Sequence, residues 1–422
     1  MNAPAAPSVV LSHPTGNANT RAAALGLAQA GQLAAFHTAI ATFPGSWLAR
    51  AAALPGLGDL RRRAFDPALR DATAMWPWRE VGRLLAWRAG ISRLTRHEHG
   101  YFSVDAVYRS LDRRVAGRLA AAPRANCVYA YEDGAAAAFR AARAHGMACM
   151  YDLPIGYWRS ARRLLEPELA RWPQWASTLG GFADSPAKLE RKDEELRLAD
   201  HIFVASSFTR NTLADFPGPL APIETIPYGF PPAAAPKADT RPSDGPLRLL
   251  FVGSLSQRKG IANLFAAVEP LGDAVQLTLV GHPSGPPNAA LDAALRRHRW
   301  IPGLAHHQVL ELMRAHDVLV FPSLFEGFGL VITEAMSQGT PVITTERTAG
   351  LDLIEDGRNG WLVEAGDTER LRAAIVRLLD QPGLVVQAGH AALESARLRP
   401  WEVYGRELAA AVARACQRLA DR

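Results

Sequence analysis

The residues best suited to chemistry lie in one run, FPSLFEGFGLVITEAM, from Phe321 to Met336. The pattern predicts a strand end, a loop broken by Gly327 and Gly329, and a helix from about Leu330. Glycines let a backbone turn tightly and approach a ligand with no Cβ in the way. A helix start presents N–H groups and the positive end of its dipole, which suits a diphosphate. Glu326 stands just before that helix and Glu334 about one turn inside it. A carboxylate is repelled by phosphate, but it can accept two hydrogen bonds from a vicinal diol. A nucleotide sugar carries diols on both sides of its diphosphate, on the hexose and on the ribose. Spacing alone also fits a surface-loop Glu followed by an ordinary helix Glu.

A second run, LFVGSLSQRKG, spans Leu250 to Gly260. It predicts a buried strand, a tight turn at Gly253 and Ser254, and Arg258-Lys259-Gly260 opening a helix. Cations there would face the same cleft and neutralise a diphosphate; solvated loop charges are the plain alternative. The run is neither G-x-G-x-x-G nor a P-loop, so a nicotinamide site is poorly supported. In the first half, His13-Pro14-Thr15-Gly16-Asn17 follows a short strand, Ser8 to Ser12. The segment YDLPIGYWR, Tyr151 to Arg159, mixes aromatics with Asp152 at another strand end. Aromatic faces stack on sugars, and an Asp can take a proton or orient a hydroxyl. A packed aromatic loop is the alternative, and His13 is either a cleft donor or a strand-end residue.

Strands and helices must alternate to place these loops together. Expected strands are Cys127 to Tyr131, Met147 to Tyr151, His201 to Ala205, Leu247 to Val252, Val275 to Val280, Val318 to Phe321 and Pro341 to Thr344. Between them run helical patterns such as Ala135 to Ala144, Ser185 to Ala199, Ile261 to Val268 and Val309 to Ala315. The stretch from Ala30 to about Gly100 predicts long helices rich in Arg and Trp. Alternation of this kind implies parallel sheets covered by helices. The expected organisation is α/β, with Rossmann-like domains at 1–230 and 247–400. A Pro-rich linker, 231–246, separates them, and a helix occupies 401–422. Tandem domains place a cleft at the carboxyl ends of both sheets.

The chain has 422 residues, enough for two such domains, and a net charge of +6. Up to Gly245 there are 29 Lys+Arg against 22 Asp+Glu; beyond it there are 18 against 19. The basic first half suggests an anionic partner such as a phospholipid surface, or simply Arg-rich solvated faces. Leu84-Leu85-Ala86-Trp87 among arginines is a composition that can rest on a membrane. No zinc finger, RRM-like aromatic pair or dense Lys run points to nucleic acid. Cys127, Cys149 and Cys416 form no C-x-x-C pair, and buried thiols are expected. No leader or spanning segment is visible, so the expected location is cytoplasmic, with peripheral contact at the inner face of the membrane. No ligand spacing for a metal is present. Base recognition is expected near His282-Pro283 and Trp300-Ile301-Pro302.

From Leu247 to Glu364 the chain resembles the family-4 retaining glycosyltransferases of the GT-B fold. The resemblance is strongest at EGFGLVITE (Glu326 to Glu334), the family's E-x7-E motif, and continues through SQGTPVITT and LIEDGRNGWLV. It implies that Glu326 holds the donor hexose, that Glu334 holds the ribose diol, and that the backbone from Phe328 through Gly329 and Leu330 to Val331 caps the diphosphate. Lys259 matches the basic residue of the family's G-R-L-x-x-x-K-G pattern, while the Arg of that pattern is Ser254 here and Arg258 is its candidate replacement. In the first half, Gly16 suits the family's first loop. Members often carry His at two strand ends that are Tyr131 and Tyr151 here. The resemblance further implies retention at the anomeric carbon, no cofactor or metal, and a C-terminal helix crossing back to the first domain. The acceptor would be a glycan, a lipid-linked glycan or a small molecule. A GT-B-shaped nucleotide-sugar epimerase or hydrolase would share the donor cradle, and fast loss of donor without acceptor distinguishes it. A non-catalytic binding protein would be free to lose Glu326, Glu334 and Lys259.

Overall fold

The computed structural model describes residues 7–51, 60, 63–120, 125–180, 182–237 and 245–421. Parts of the Arg-rich stretch (52–59, 61–62 and 121–124) and of the linker (238–244) lie outside the described residues.

Short runs of three to six residues, apolar in the central strands, make two sheets. The first contains β1 (Val9–Ser12), β2 (Leu33–Thr38), β3 (Thr73–Met75), β4 (Cys127–Tyr131), β5 (Ala148–Leu153), β6 (His201–Val204) and β7 (Ile223–Thr225), in the order β3-β2-β1-β4-β5-β6-β7. The second contains β8 (Leu247–Val252), β9 (Val275–Val280), β10 (Arg299–Ile301), β11 (Val318–Phe321), β12 (Val342–Thr345) and β13 (Gly360–Val363), in the order β10-β9-β8-β11-β12-β13. Every pairing between these strands is parallel. Strands buried on both faces need apolar residues throughout, and β4, β11 and β12 are buried at every position.

The strand order reverses at β1/β4 in one sheet and at β8/β11 in the other. Loops at such reversals splay apart and leave a crevice at the carboxyl ends. His13 to Asn17 follow β1, and Glu132 follows β4. Ser254 to Lys259 follow β8, and Glu326 follows β11.

Two expectations need correction. The stretch from Ala30 to Gly100 is not all helix, because it supplies β2 and β3. The β2 sequence, LAAFHT, is Ala-rich and has no β-branched residue before Thr38, so its pattern does not separate strand from helix. Pairing with β1 decides the matter. Strand β5 also runs on through Leu153, which places Asp152 inside the strand.

Helix Trp401–Ala420 lies against helix Ala18–Gln29 of the first half. The approach is close enough that a Cβ on Gly26 would stand 2.2 Å from the Gly405 carbonyl oxygen. The two sheets also touch through their loops. The Ser206 and Thr209 hydroxyls, after β6, donate to the Gly327 carbonyl at 2.5 and 2.8 Å. Cys127 and Cys149 are buried, Cys416 is half-buried, and all three are free thiols. Among the described residues no helix is long and apolar enough to cross a membrane.

Candidate functional site

Helix Leu330–Ser337 starts at the carboxyl end of β11, and its preceding residue, Gly329, has φ +86°. Only glycine adopts that backbone conformation readily, so the chain can turn from loop to helix in one residue. Its neighbour Gly327 passes so near the loop after β5 that a Cβ would lie 1.9 Å from the Pro154 carbonyl oxygen. The side chain of Phe328 packs inward on Tyr228, with ring centroids 4.8 Å apart. What remains at the surface of this turn is backbone, including the first-turn N–H groups of Leu330 and Val331, which have no partner within a helix.

Beside this turn sit the cations. The Lys259 ammonium forms an ion pair with the Glu326 carboxylate. The Arg258 Nη1 donates to the Phe325 carbonyl at 2.9 Å and lies 3.6 Å from the Glu326 carboxylate. Lys259 also stands over the Phe321 ring, 4.8 Å from its centroid. Burial, and then the positive charge of Arg258, press the Lys259 pKa well below its usual value. The carboxylate of Glu326 works in the other direction and favours the charged amine. Glu334, one turn into the helix, is bonded to the His306 ring at 3.0 Å, and that contact raises the His306 pKa. His306 was not singled out from the sequence. Only its place at the start of helix His306–Ala315 could have drawn attention, and the partner is 28 residues away.

Gly253 and Ser254 lie where β8 ends, on the approach to Lys259. Residues Gly281 to Pro283 and Trp300 to Ile301 also converge there: the Trp300 indole donates to the Gly281 carbonyl at 2.9 Å. Arg258, Lys259 and Glu326 are thus brought together, with Glu334 on the helix that begins beside them and His306 reaching it from helix His306–Ala315.

The acceptor-side candidates fare differently. Gly16 stands in the loop after β1, where a Cβ would be 2.6 Å from the Phe65 ring. His13 is buried behind that loop, edge-on to Tyr131 at 4.6 Å. Burial holds its pKa down at about 4, so the ring is neutral at pH 7. Tyr131 is fully enclosed, in one cluster with Tyr129, Tyr228, Tyr404 and Phe328. Tyr151 points to the opposite face of the sheet, against Phe139, so it cannot reach the cleft. Successive strand residues alternate faces, and Tyr151 takes the wrong one. Asp152 takes the right face but is buried, accepting from the Tyr129 hydroxyl at 2.6 Å. Burial raises its pKa to about 7. Polar groups missed in the sequence stand nearby instead: Glu132, just after β4, pairs with Lys192 at 3.2 Å.

One group among the described residues has metal-ligand spacing: His97, Glu98 and Asp184. Its carboxylates are already engaged, Glu98 by the Ser185 N–H and hydroxyl and Asp184 by Lys188.

Comparison with known proteins bears on the same loops. Residues 246–381 match the family described as Glycosyl transferases group 1. This segment is a group 1 glycosyl transferase domain. Glycogen synthase of Mycobacterium tuberculosis is 31% identical over 205 residues, which is 47% of this chain and 50% of that protein. The chain therefore spans about half the length of the curated relatives it matches. Sucrose-phosphate synthase from Thermosynechococcus elongatus superposes with a TM-score of 0.65 at 19% identity, covering 98% of this chain and 99% of that one. An Anabaena protein solved with UDP-glucose superposes at 0.57 with 16% identity, over 96% and 99% of the two chains. The fold is GT-B, and the group 1 domain supplies Lys259, Arg258, Glu326 and Glu334.

Proposed function

We propose that this chain is a retaining glycosyltransferase that moves a hexose-type sugar from a nucleotide diphosphate-sugar to a glycan, lipid-linked glycan or small-molecule acceptor. The observation that carries the proposal is the convergence of Lys259, Arg258 and Glu326 on one helix start at the β8/β11 reversal. The leaving diphosphate gains negative charge as the C1–O bond stretches. Lys259, Arg258 and the N–H groups at Leu330 and Val331 stabilise that charge electrostatically. The diphosphate competes with Glu326 for Lys259 and thereby frees the carboxylate to accept from the hexose hydroxyls. Glu334 accepts from the ribose diol once it exchanges His306 for that partner. The acceptor oxygen bonds to C1 as the phosphate oxygen leaves, and that oxygen takes the acceptor's proton on the same face. No enzyme nucleophile is required, and the chain supplies the neutralising charge without a resident metal or cofactor. The proposed setting is the cytoplasm, with peripheral contact at an anionic membrane face, and the basic first half supports that contact.

The test is a thermal-shift screen of nucleotide diphosphates and their hexose conjugates, beginning with UDP-glucose. NMR of the anomeric configuration of any product should follow. Stabilisation by at least one conjugate and a retained anomer are expected. An inverted product removes the retaining mechanism, and indifference to every nucleotide removes the function.

A further inference from the structure

An apolar groove of about 340 Å3 opens on the first half, lined chiefly by Ile40, Trp47, Met75, Val81, Leu84 and Leu85. It belongs to a wider patch. Seven of the twelve exposed large hydrophobic side chains among the described residues fall between Trp47 and Ile91. Trp47, Trp78 and Trp87 are 74%, 69% and 67% exposed. Apolar side chains gathered this densely on a surface mark an interaction site. Helix Trp78–Arg88 shows the cause: Trp78, Val81 and Leu85 repeat at helical spacing on its outer face, while Glu80 and Ala86 are turned inward.

Charge indicates the partner. Between Arg50 and Arg96 the sequence has ten arginines and four acidic residues, a surplus of six that equals the net charge of the whole chain. Tryptophan and arginine around an apolar strip suit an anionic bilayer surface, with rings at the headgroup level and cations against the headgroups. The groove also leads somewhere. A second recess, lined in part by Thr15, Gly16, Asn17, Arg63 and Arg83, shares Leu60 and Leu84 with it. The two recesses therefore adjoin at Leu60 and Leu84, and the second reaches the loop after β1, at the reversal point of the first sheet.

We propose that this groove takes the hydrocarbon chain of an anionic lipid acceptor drawn from a bilayer on which the patch rests, a specification that depends on the transferase function above. The lipid's polar end then lies at Thr15 to Asn17, on the acceptor side of the cleft. The experiment uses the full chain with vesicles of phosphatidylcholine, with and without phosphatidylglycerol, and with acyl chains brominated for tryptophan quenching. Expected are salt-sensitive co-sedimentation with the anionic vesicles only, and quenching by the brominated chains. The double variant Val81→Glu/Leu85→Glu alters exposed positions and should lower partitioning about tenfold or more. Arg50→Gln should lower it about fivefold. Both variants should keep the thermal shift given by the nucleotide. Donor binding without vesicle binding overturns the lipid assignment alone. So does vesicle binding that ignores Val81→Glu/Leu85→Glu, or a dimer in sedimentation velocity that this variant dissociates. Absence of any nucleotide response in the unaltered chain overturns the transferase function itself.

Discussion

Lys259 is where charge, burial and position meet. Burial and Arg258 press it toward neutrality while it stays paired with Glu326, so in the proposed reaction a diphosphate that replaces the carboxylate meets an amine already in position. Lys259→Ala is expected to lower kcat on the order of 100-fold; turnover close to that of the unaltered chain removes Lys259 from the mechanism. At Glu334, the protonated His306 ring is a stronger competitor for the carboxylate than the neutral ring. Nucleotide affinity should therefore weaken as pH falls through the raised His306 pKa. His306→Gln should flatten that dependence in a titration followed by calorimetry. Asp152 makes a different claim. Its folded pKa, about 7, lies above the unfolded carboxylate range. The stability its protonated form contributes is complete at low pH and is lost as pH rises from about 4 through 7. Asp152→Asn should thus leave stability near pH 3 nearly unchanged and raise the melting temperature at pH 8. An equal change at both pH values would show that Asp152 does not titrate in the fold.

At the scale of elements, two features are set by close approach of backbones. Helices Ala18–Gln29 and Trp401–Ala420 cross at Gly26 and Gly405, where a side chain has no room. Gly26→Val should destabilise the chain by about 1–3 kcal/mol through overpacking, measured by urea denaturation; an unchanged midpoint would contradict the crossing. The loop before helix Leu330–Ser337 is fixed in the same way by Gly327 against Pro154. The helix itself was legible from Gly327, Gly329 and the apolar run after them, because glycine and helical periodicity are local signals. Strand β2 was not legible, because its Ala-rich sequence acquires a strand identity only by pairing with β1.

For the whole molecule, the decisive fact is that carboxyl-end segments of the two sheets meet, with Ser206 and Thr209 after β6 bonded to Gly327 after β11. The Glu326/Glu334 spacing, the Arg258-Lys259 pair, the parallel α/β class and most strands of the second sheet were contained in the amino-acid order. Each depends on neighbours within a few residues or on a period of two or 3.6. Tertiary structure alone decided that Tyr151 faces away from the cleft while Asp152 is walled in by Tyr129. It alone paired His306 with Glu334 and Lys192 with Glu132. It also gathered Ile40, Trp47, Met75 and Leu85 into one groove. The reason is physical: which face a strand residue takes, and which distant side chain meets it, depend on register and packing between segments far apart in sequence, where local pattern carries no information.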